Sequence, residues 1–212
     1  WDTPYVNMGN GYPDCHIFPI NQPVAIPWEP GVAITFARAE TMDHKPVPID
    51  PRNALLNQVE RAKSMGFDFQ VGTEVEFFLL DPETGKPRDQ GIQVYSLDRA
   101  AELEHVIGPI RQQINECGIP IEQSNPEYAA GQVEVNVRYG EAVQSADRLV
   151  MFRSLVKQLA LAHGYQATFM AKPFFEESGS GFHCHYSVLK NGKNIFSDNG
   201  KLSQTGRFFV GG

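Results

Sequence analysis

The sequence predicts an α+β protein, in which antiparallel strands and helices are mixed along the chain. Strand-like and helix-like segments follow one another without a repeating strand–helix–strand order. The Asn191-Gly192 dipeptide is typical of a tight hairpin between antiparallel strands. With 42% hydrophobic residues in 212, the chain is ample for a buried core. These observations favour α+β over a doubly wound α/β fold.

The first fifty residues are rich in proline and glycine and predict a small sheet joined by turns. Short β-type runs at 15–18 and 32–36 are its expected strands. The prolines that follow, Pro46, Pro48 and Pro51, indicate a boundary.

A helix is expected to begin directly after this boundary. Asp50 is suited to be its N-cap and Pro51 to be its first residue, and Gly66 is expected to end it. A strand over 67–80 and a turn over 81–85 follow.

Two longer helices are predicted at 97–117 and 145–163, because apolar residues recur there at helical spacing and a glycine follows each. Residues 119–139 between them predict two short strands around a Gly-Gln turn. Beyond the second helix, strands are expected at 165–170 and 183–189.

Acidic residues interrupt two of these predicted strands. Glu74 and Glu76 are two residues apart, so their carboxylates share one strand face and repel each other. Glu127 and Glu134 flank a turn that can bring both back toward one point. A divalent cation with oxygen ligands would relieve both pairs. The alternatives are an edge strand with a solvated face and a polar hairpin tip.

Histidines mark the last long strand. His183, His185 and Ser187 share one face, whereas Cys184 points the other way, so His-Cys-His is not a zinc ligand set from one face. The preceding Gly-Ser-Gly loop over 179–181 allows a ligand to approach the backbone closely. A histidine near several carboxylates is suited to bind a metal ion or to donate a hydrogen bond to phosphate. The alternative is a pair of half-buried structural histidines.

Composition and missing motifs exclude several function classes. A net charge of −7 and a pI near 5.4 argue against a general binder of nucleic acid or anionic membranes. No apolar run approaches the roughly 18 residues of a membrane span. Three unpatterned cysteines favour a reducing, cytoplasmic compartment. Because no P-loop, Rossmann glycine pattern or nucleophile elbow is present, any nucleotide chemistry would use metal held by carboxylates.

Taken together and in this order, five segments resemble the glutamine synthetase family. They are Asp50-Pro51-Arg52, residues 71–78 (Val-Gly-Thr-Glu-Val-Glu-Phe-Phe), Glu127 through Gln132 to Glu134, residues 167–173 (Ala-Thr-Phe-Met-Ala-Lys-Pro) and residues 179–185 (Gly-Ser-Gly-Phe-His-Cys-His). The match runs over nearly the whole chain, and five motifs in the family's order are far more specific than any one of them.

The resemblance implies a small β-grasp-like N-terminal domain over 1–48. Over 49–212 it implies the first part of the family's catalytic domain, a curved antiparallel sheet with flanking helices. The implied activity is ATP-dependent formation of a γ-glutamyl amide from glutamate and ammonia or an amine, through γ-glutamyl phosphate, with Mg²⁺ or Mn²⁺. It also implies a role in nitrogen metabolism, stacked rings of identical subunits, and no nucleic-acid or membrane partner.

Roles for individual residues follow from motif position in the resemblance. Glu76, Glu127 and Glu134 would hold the ion beside glutamate, and Glu74 and His183 would hold the ion that bridges the ATP phosphates. The remaining implied roles are nucleotide contacts from Glu122, Tyr139, His185 and Ser187, a glutamate contact at Gly179, and a catalytic part in binding and deprotonating ammonium for Asp2.

The chain also departs from the family pattern. Ser178 replaces a common asparagine, Ala171 stands where proline is common, and residues 131–136 are closer to the branch that uses amines or polyamines. The acceptor therefore stays open between ammonia and an amine.

The opening Trp1 and the closing Gly211-Gly212 suggest a piece of a longer enzyme. Without the family's C-terminal arginines, such a piece is expected to be inactive alone. The alternatives are a catalytically inactive relative with a structural or interaction role, and an ATP-dependent ligase for a different acid.

Overall fold

The computed structural model describes residues 3–88 and 94–210 and confirms the predicted α+β class. The strands are β1 (His16–Pro19), β2 (Val24–Ala25), β3 (Ala33–Ile34), β4 (Ala37–Glu40), β5 (Phe67–Leu80), β6 (Ile121–Pro126), β7 (Gln132–Glu141), β8 (Gln166–Thr168), β9 (Phe182–Lys190), β10 (Lys193–Asn194), β11 (Ser197–Asp198) and β12 (Lys201–Leu202). The helices are α1 (Pro51–Ser64), α2 (Leu97–Glu116), α3 (Ala142–Ala162), α4 (Gln204–Val210) and a 3₁₀ turn at Met8–Asn10. None of the helices in these two ranges is both long and apolar enough to cross a membrane.

The chain divides into two compact units. One comprises Trp1–Phe69 together with Val188–Gly212, and the other comprises Gln70–Ser187. The residues that the sequence analysis assigned to metal all belong to the second unit.

The first unit contains small antiparallel ladders and α1. Strand β1 pairs with β4, and β2 pairs with β3. The predicted start of α1 is confirmed, because the side chain of Asp50 accepts a hydrogen bond from the backbone N–H of Arg52 at 2.9 Å. The predicted hairpin is confirmed as well: Asn191 and Gly192 both have positive φ, and β10 pairs with the end of β9.

The second unit is built around β5. Strand β7 pairs with one edge of β5 and β6 lies outside β7, whereas β8 and β9 neighbour the other edge. The pairing with β7 is antiparallel and places Val75 opposite Val135 and Glu76 opposite Glu134. The strand predicted over 67–80 is confirmed with those bounds.

The core lies on the face of this sheet that packs against helices. Val75, Phe77 and Leu79 alternate along β5 with side chains on the opposite face, and all three are buried. Helix α3 contributes a buried apolar stripe at helical spacing, namely Met151, Phe152, Leu155, Val156, Leu159 and Ala160. On the opposite face of β5, Phe78 and Leu80 form a smaller cluster with Ala129 and Phe174. Glu74 and Glu76 lie on that second face, next to this cluster.

Some element ends differ from the sequence prediction. Helix α3 begins at Ala142 rather than 145, because the side chain of Glu141 caps it by accepting from the backbone N–H of Gln144. Strand β8 covers only 166–168 of the predicted 165–170. A local apolar pattern marks an element more reliably than its ends, which depend on capping contacts.

Candidate metal centre

Three acidic residues are brought together by the pairing of β5 with β7. Glu74 and Glu76 share one face of β5, and Glu134 lies directly opposite Glu76. On β7, Gln132, Glu134 and Asn136 alternate with buried valines, so they share the face of the acids. The face of β5 that carries Glu74 and Glu76, as predicted, therefore lies beside a polar stripe on the same side of the neighbouring strand.

The acids and one histidine form two groups that are suited to hold ions. In the first group, ligand atoms of Glu74, Glu134 and His183 all lie within 4.8 Å of one another. In the second, the same holds for Glu76, Glu127 and Glu134. Glu134 belongs to both groups, so the two groups adjoin each other at this residue.

The turn between β6 and β7 places Glu127 in the second group. The backbone N–H of Glu127 donates to the carbonyl of Gln132 at 2.8 Å, and the side chain of Asn125 donates to Glu127 Oε1 at 2.9 Å. Gly131 has a φ of +67°, and a Cβ there would lie 2.7 Å from the carbonyl oxygen of Leu79. Glycine is therefore required for the tight turn that brings Glu127 back toward Glu134.

Two histidines of β9 reach the carboxylate of Glu74. His183 Nδ1 lies 3.0 Å from Glu74 Oε2, and His185 Nε2 lies 3.0 Å from Glu74 Oε1. Because both rings meet the same carboxylate, the two histidines lie on one face of β9, as their spacing predicts.

Burial and like charge raise the pKa values of two of these acids, whereas the two histidines lower the pKa of a third. Burial raises the pKa of Glu127, and the charges of Glu76 and Glu134 raise it further. Burial likewise raises the pKa of Glu134, with a further contribution from the charge of Glu74. For Glu74, burial acts to raise the pKa, but hydrogen bonds from His185 and His183 outweigh it, so the pKa is lowered. Glu127 and Glu134 are thus the groups for which a cation would relieve the most unfavourable charge.

The chemistry of the donors fits divalent cations. One group offers three carboxylates, and the other offers two carboxylates and an imidazole. Carboxylate oxygens are the preferred ligands of Mg²⁺ and Mn²⁺, and imidazole is also a ligand for first-row metals. The group that contains His183 carries less negative charge and so suits an ion that also binds anionic oxygens of a ligand.

A glycine loop packs directly on the second group. The carbonyl of Gly181 accepts from the backbone N–H of Glu76 at 3.3 Å. A Cβ at Gly181 would lie 2.6 Å from Glu76 Oε1, and one at Gly179 would lie 2.8 Å from the carbonyl oxygen of Ala171. Glycine at 181 therefore lets the loop lie against the carboxylate of Glu76 in its present position, and glycine at 179 lets the loop pass close to the main chain at Ala171.

Gln132 is a site residue to which the sequence assigned no role beyond forming part of a turn. Its side chain is 1% exposed and donates through Nε2 to Glu76 Oε2 at 2.9 Å and to the carbonyl of Gly179 at 3.0 Å. Its Oε1 accepts from the backbone N–H of Ala129 at 3.1 Å. The available signal was its spacing of two from Glu134, which places both side chains on one strand face.

The other residues assigned by the resemblance are not members of either group. Glu122 faces Arg138, with 3.6 Å between Glu122 Oε1 and Arg138 Nε. The side chain of Tyr139 is exposed and Ser187 is half-buried. Asp2 lies outside the described residues.

Comparison with known sequences gives the family that the five motifs resemble. Residues 48–212 match the family model described as glutamine synthetase, catalytic domain. The chain is 37% identical to a glutamine synthetase of Methanosarcina mazei, over 88% of this chain and 44% of that protein. It is 29% identical to a glutamate–isopropylamine ligase of a Pseudomonas species, over 98% of this chain and 49% of that protein.

A solved structure of a GmaS/ADP complex superimposes on this chain with a TM-score of 0.86 at 33% sequence identity. The superposition covers 93% of this chain and 48% of that one. The chain thus spans about half the length of the relatives it matches.

Proposed function

Because this chain belongs to the glutamine synthetase family, we propose that it contributes metal and substrate sites to an ATP-dependent ligase that forms a γ-glutamyl amide. The observation that supports the proposal most directly is the pair of ligand groups that share Glu134. Two neighbouring cations suit a reaction in which a phosphoryl group moves from a nucleotide to a carboxylate.

The proposed reaction has two steps. The side-chain carboxylate of glutamate attacks the γ-phosphorus of ATP, which forms γ-glutamyl phosphate and releases ADP. The nitrogen lone pair of ammonia or an amine then attacks the activated carbonyl carbon, loses a proton, and expels inorganic phosphate. Bound Mg²⁺ or Mn²⁺ would neutralise the charge on the transferring phosphoryl group.

We assign the residues of the chain to this reaction as follows. Glu76, Glu127 and Glu134 hold the ion on the glutamate side, and Glu74 and His183 hold the ion on the phosphate side. Glutamate binds near the Gly179 loop, which packs against Glu76 in the structure. The proposed nucleotide contacts are Glu122, Tyr139, His185 and Ser187, and Asp2 is proposed to help deprotonate the ammonium.

The acceptor is proposed to be ammonia or a small primary amine. Relatives with both kinds of name match the chain at 29–37% identity. The segment 131–136 favours an amine, because it is closer to the amine-using branch of the family. The donor acid is proposed to be glutamate.

We place a β-grasp-like domain at 1–48 and the catalytic domain from residue 49 onward. The intact protein is a homo-oligomer of stacked rings in the cytoplasm, a compartment that fits Cys15, Cys117 and Cys184, none of which forms a disulfide within the described residues. As the chain spans about half the length of its relatives, we propose that the 212 residues bind metal and nucleotide but do not complete turnover alone.

One panel of assays tests this function. Phosphate release from ATP is measured with glutamate in the presence of ammonia, methylamine, ethanolamine or putrescine. The enzyme is the full-length protein that contains these residues. Aspartate replaces glutamate as a control for the acid. Acceptor-dependent phosphate release with glutamate, but not with aspartate, supports the proposal. A strong preference for ammonia over the amines would overturn the leaning toward an amine.

Calorimetry with Mn²⁺ separates the ligase from a structural protein of the same fold. A ligase of this kind binds the ion at micromolar to millimolar concentration. A chain that binds no Mn²⁺ in the millimolar range and releases no phosphate has a structural or interaction role instead.

A further inference from the structure

We propose that Gln132 is a positioning residue that sets the carboxylate of Glu76 and the carbonyl of Gly179 relative to each other. The inference rests on the proposed function, because it concerns how the ion site and the glutamate loop are held together. Gln132 is not expected to touch the ions or the reacting atoms.

The first observation is that Gln132 is buried with both ends of its amide engaged. The residue is 1% exposed. Its Nε2 has three acceptors, Glu76 Oε2 at 2.9 Å, the carbonyl of Gly179 at 3.0 Å and, at a longer distance, Ser180 Oγ at 3.5 Å. Its Oε1 accepts from the backbone N–H of Ala129 at 3.1 Å. These partners fix the orientation of the buried amide. If the amide were turned by 180°, its oxygen would lie against the carboxylate oxygen of Glu76 and the carbonyl oxygen of Gly179.

The second observation is that these bonds reach three separate parts of the site. Glu76 lies on β5, Gly179 precedes β9, and Ala129 belongs to the turn that carries Glu127. The main chain of Gln132 adds a fourth tie, because its carbonyl accepts from the N–H of Glu127 at 2.8 Å. One residue therefore fixes two carboxylates of one ligand group and the neighbouring loop.

The chemistry favours an amide at this position. A neutral N–H₂ group donates to a carboxylate without competing with a cation for it, whereas lysine or arginine would place a positive charge beside the ion site. Two donors on one nitrogen also fix the separation of the carboxylate from the Gly179 carbonyl. Partners of this kind, which orient metal ligands, typically change metal affinity by about 10–100-fold when they are removed.

The test compares two buried polar residues of the same sheet. Gln132→Met keeps the length of the side chain and removes its donors. Ser145→Ala is the matched control, because Ser145 is also buried and donates to the carbonyl of Val71 on β5 at 2.7 Å, yet belongs to neither ligand group. Mn²⁺ affinity is measured by calorimetry on the 212-residue chain, with circular dichroism to verify folding.

We expect Gln132→Met to weaken the binding of one ion about 10–100-fold and Ser145→Ala to leave both affinities within about threefold. A double-mutant cycle with Glu76→Gln identifies the route of the effect. If Gln132 acts through Glu76, adding Gln132→Met to Glu76→Gln has a much smaller effect than adding it to the wild type. Equal Mn²⁺ affinity of a folded Gln132→Met variant, or full additivity in the cycle, overturns the inference.

A measurement on the unmodified chain covers the case in which Gln132→Met does not fold. The side-chain amide of Gln132 should give slowly exchanging NMR signals that shift when diamagnetic Mg²⁺ is added. Rapid exchange or an unshifted signal contradicts the role. Failure of the proposed function looks different, because the wild-type chain would then bind no Mn²⁺ at all, and the inference would fall with it.

Discussion

Glu76 on β5 and Glu134 on β7 face each other directly across an antiparallel strand pair. Like charges at such a position destabilise a sheet, and Glu134 is only 8% exposed. The pair therefore lowers the free energy of unfolding of the metal-free chain, and a bound cation would stabilise the fold by neutralising both carboxylates.

Replacing Glu134 with glutamine should stabilise the metal-free chain and remove most of its response to metal. We expect the free energy of unfolding in chelator to rise by about 0.5–1 kcal/mol, the size of a cross-strand charge contribution. The wild type should gain about 2.7 kcal/mol when Mn²⁺ is at 100 times its dissociation constant, and Glu134→Gln should gain little. Urea unfolding with and without Mn²⁺ measures both, and Glu83→Gln, in the exposed turn after β5, is the control. A Glu134→Gln variant that is less stable in chelator would contradict the prediction.

The stability of the metal-free chain should depend on pH through Glu127. Its pKa is raised above the ordinary 4.5 by burial and then by Glu76 and Glu134. The stability that this group contributes is therefore fully present below about pH 4.5 and is lost as the pH rises through the raised pKa. We expect the free energy of unfolding of Glu127→Gln to increase relative to that of the wild type as the pH rises from about 4 to 8. Urea unfolding in the presence of a metal chelator measures this difference. A difference that does not vary with pH would exclude this linkage.

Glu74 should show the opposite linkage, since hydrogen bonds from His185 and His183 outweigh the effect of burial and lower its pKa. The stability it contributes is present above about pH 4.5 and is lost as the pH falls through the lowered pKa. The advantage of the wild type over Glu74→Gln in chelator should therefore shrink on acidification. An advantage that grows below about pH 4.5 would be inconsistent with the ion pairs to the two histidines.

Replacement of the two histidines should affect metal affinity differently. His183 belongs to a ligand group and His185 does not, although both lie 3.0 Å from Glu74. We expect His183→Asn to weaken the binding of one ion by about 100-fold or more, and His185→Asn to leave it within about threefold and to raise the KM for ATP. Calorimetry with Mn²⁺ on the chain and kinetics on the full-length enzyme measure the two effects. Equal losses of Mn²⁺ affinity in both variants would count against the assignment.

A methyl group at Gly181 should disturb the metal centre with little effect on the fold. A Cβ there would lie 2.6 Å from Glu76 Oε1, the end of a side chain that can turn away. We therefore expect Gly181→Ala to lower Mn²⁺ affinity about tenfold while the free energy of unfolding changes by less than about 1 kcal/mol. Gly72→Ala is the control, because a Cβ there would meet only Tyr139, at 3.3 Å. Unchanged Mn²⁺ affinity in Gly181→Ala would show that Glu76 does not need its present position.

Much of the architecture could be predicted because its signals are local. Asp50 and Pro51 specify the start of α1, Asn191-Gly192 specifies the hairpin, and alternation specifies the face that Glu74 shares with Glu76. Each of these depends on a few neighbouring residues. The start of α3 was predicted three residues late, because it depends on the cap formed by Glu141.

The sequence by itself determined the residue types, the strand faces and the family resemblance, since period-two alternation and motif order can be read along one chain. Only the tertiary structure decided that Glu76 meets Glu134, that His183 and His185 converge on Glu74, and that buried Gln132 joins Glu76 to Gly179. These contacts depend on which strands pair and in what register, over sequence separations of about 50 to 110 residues. Long-range pairing is selected by burial of the whole core, and no local pattern contains that information.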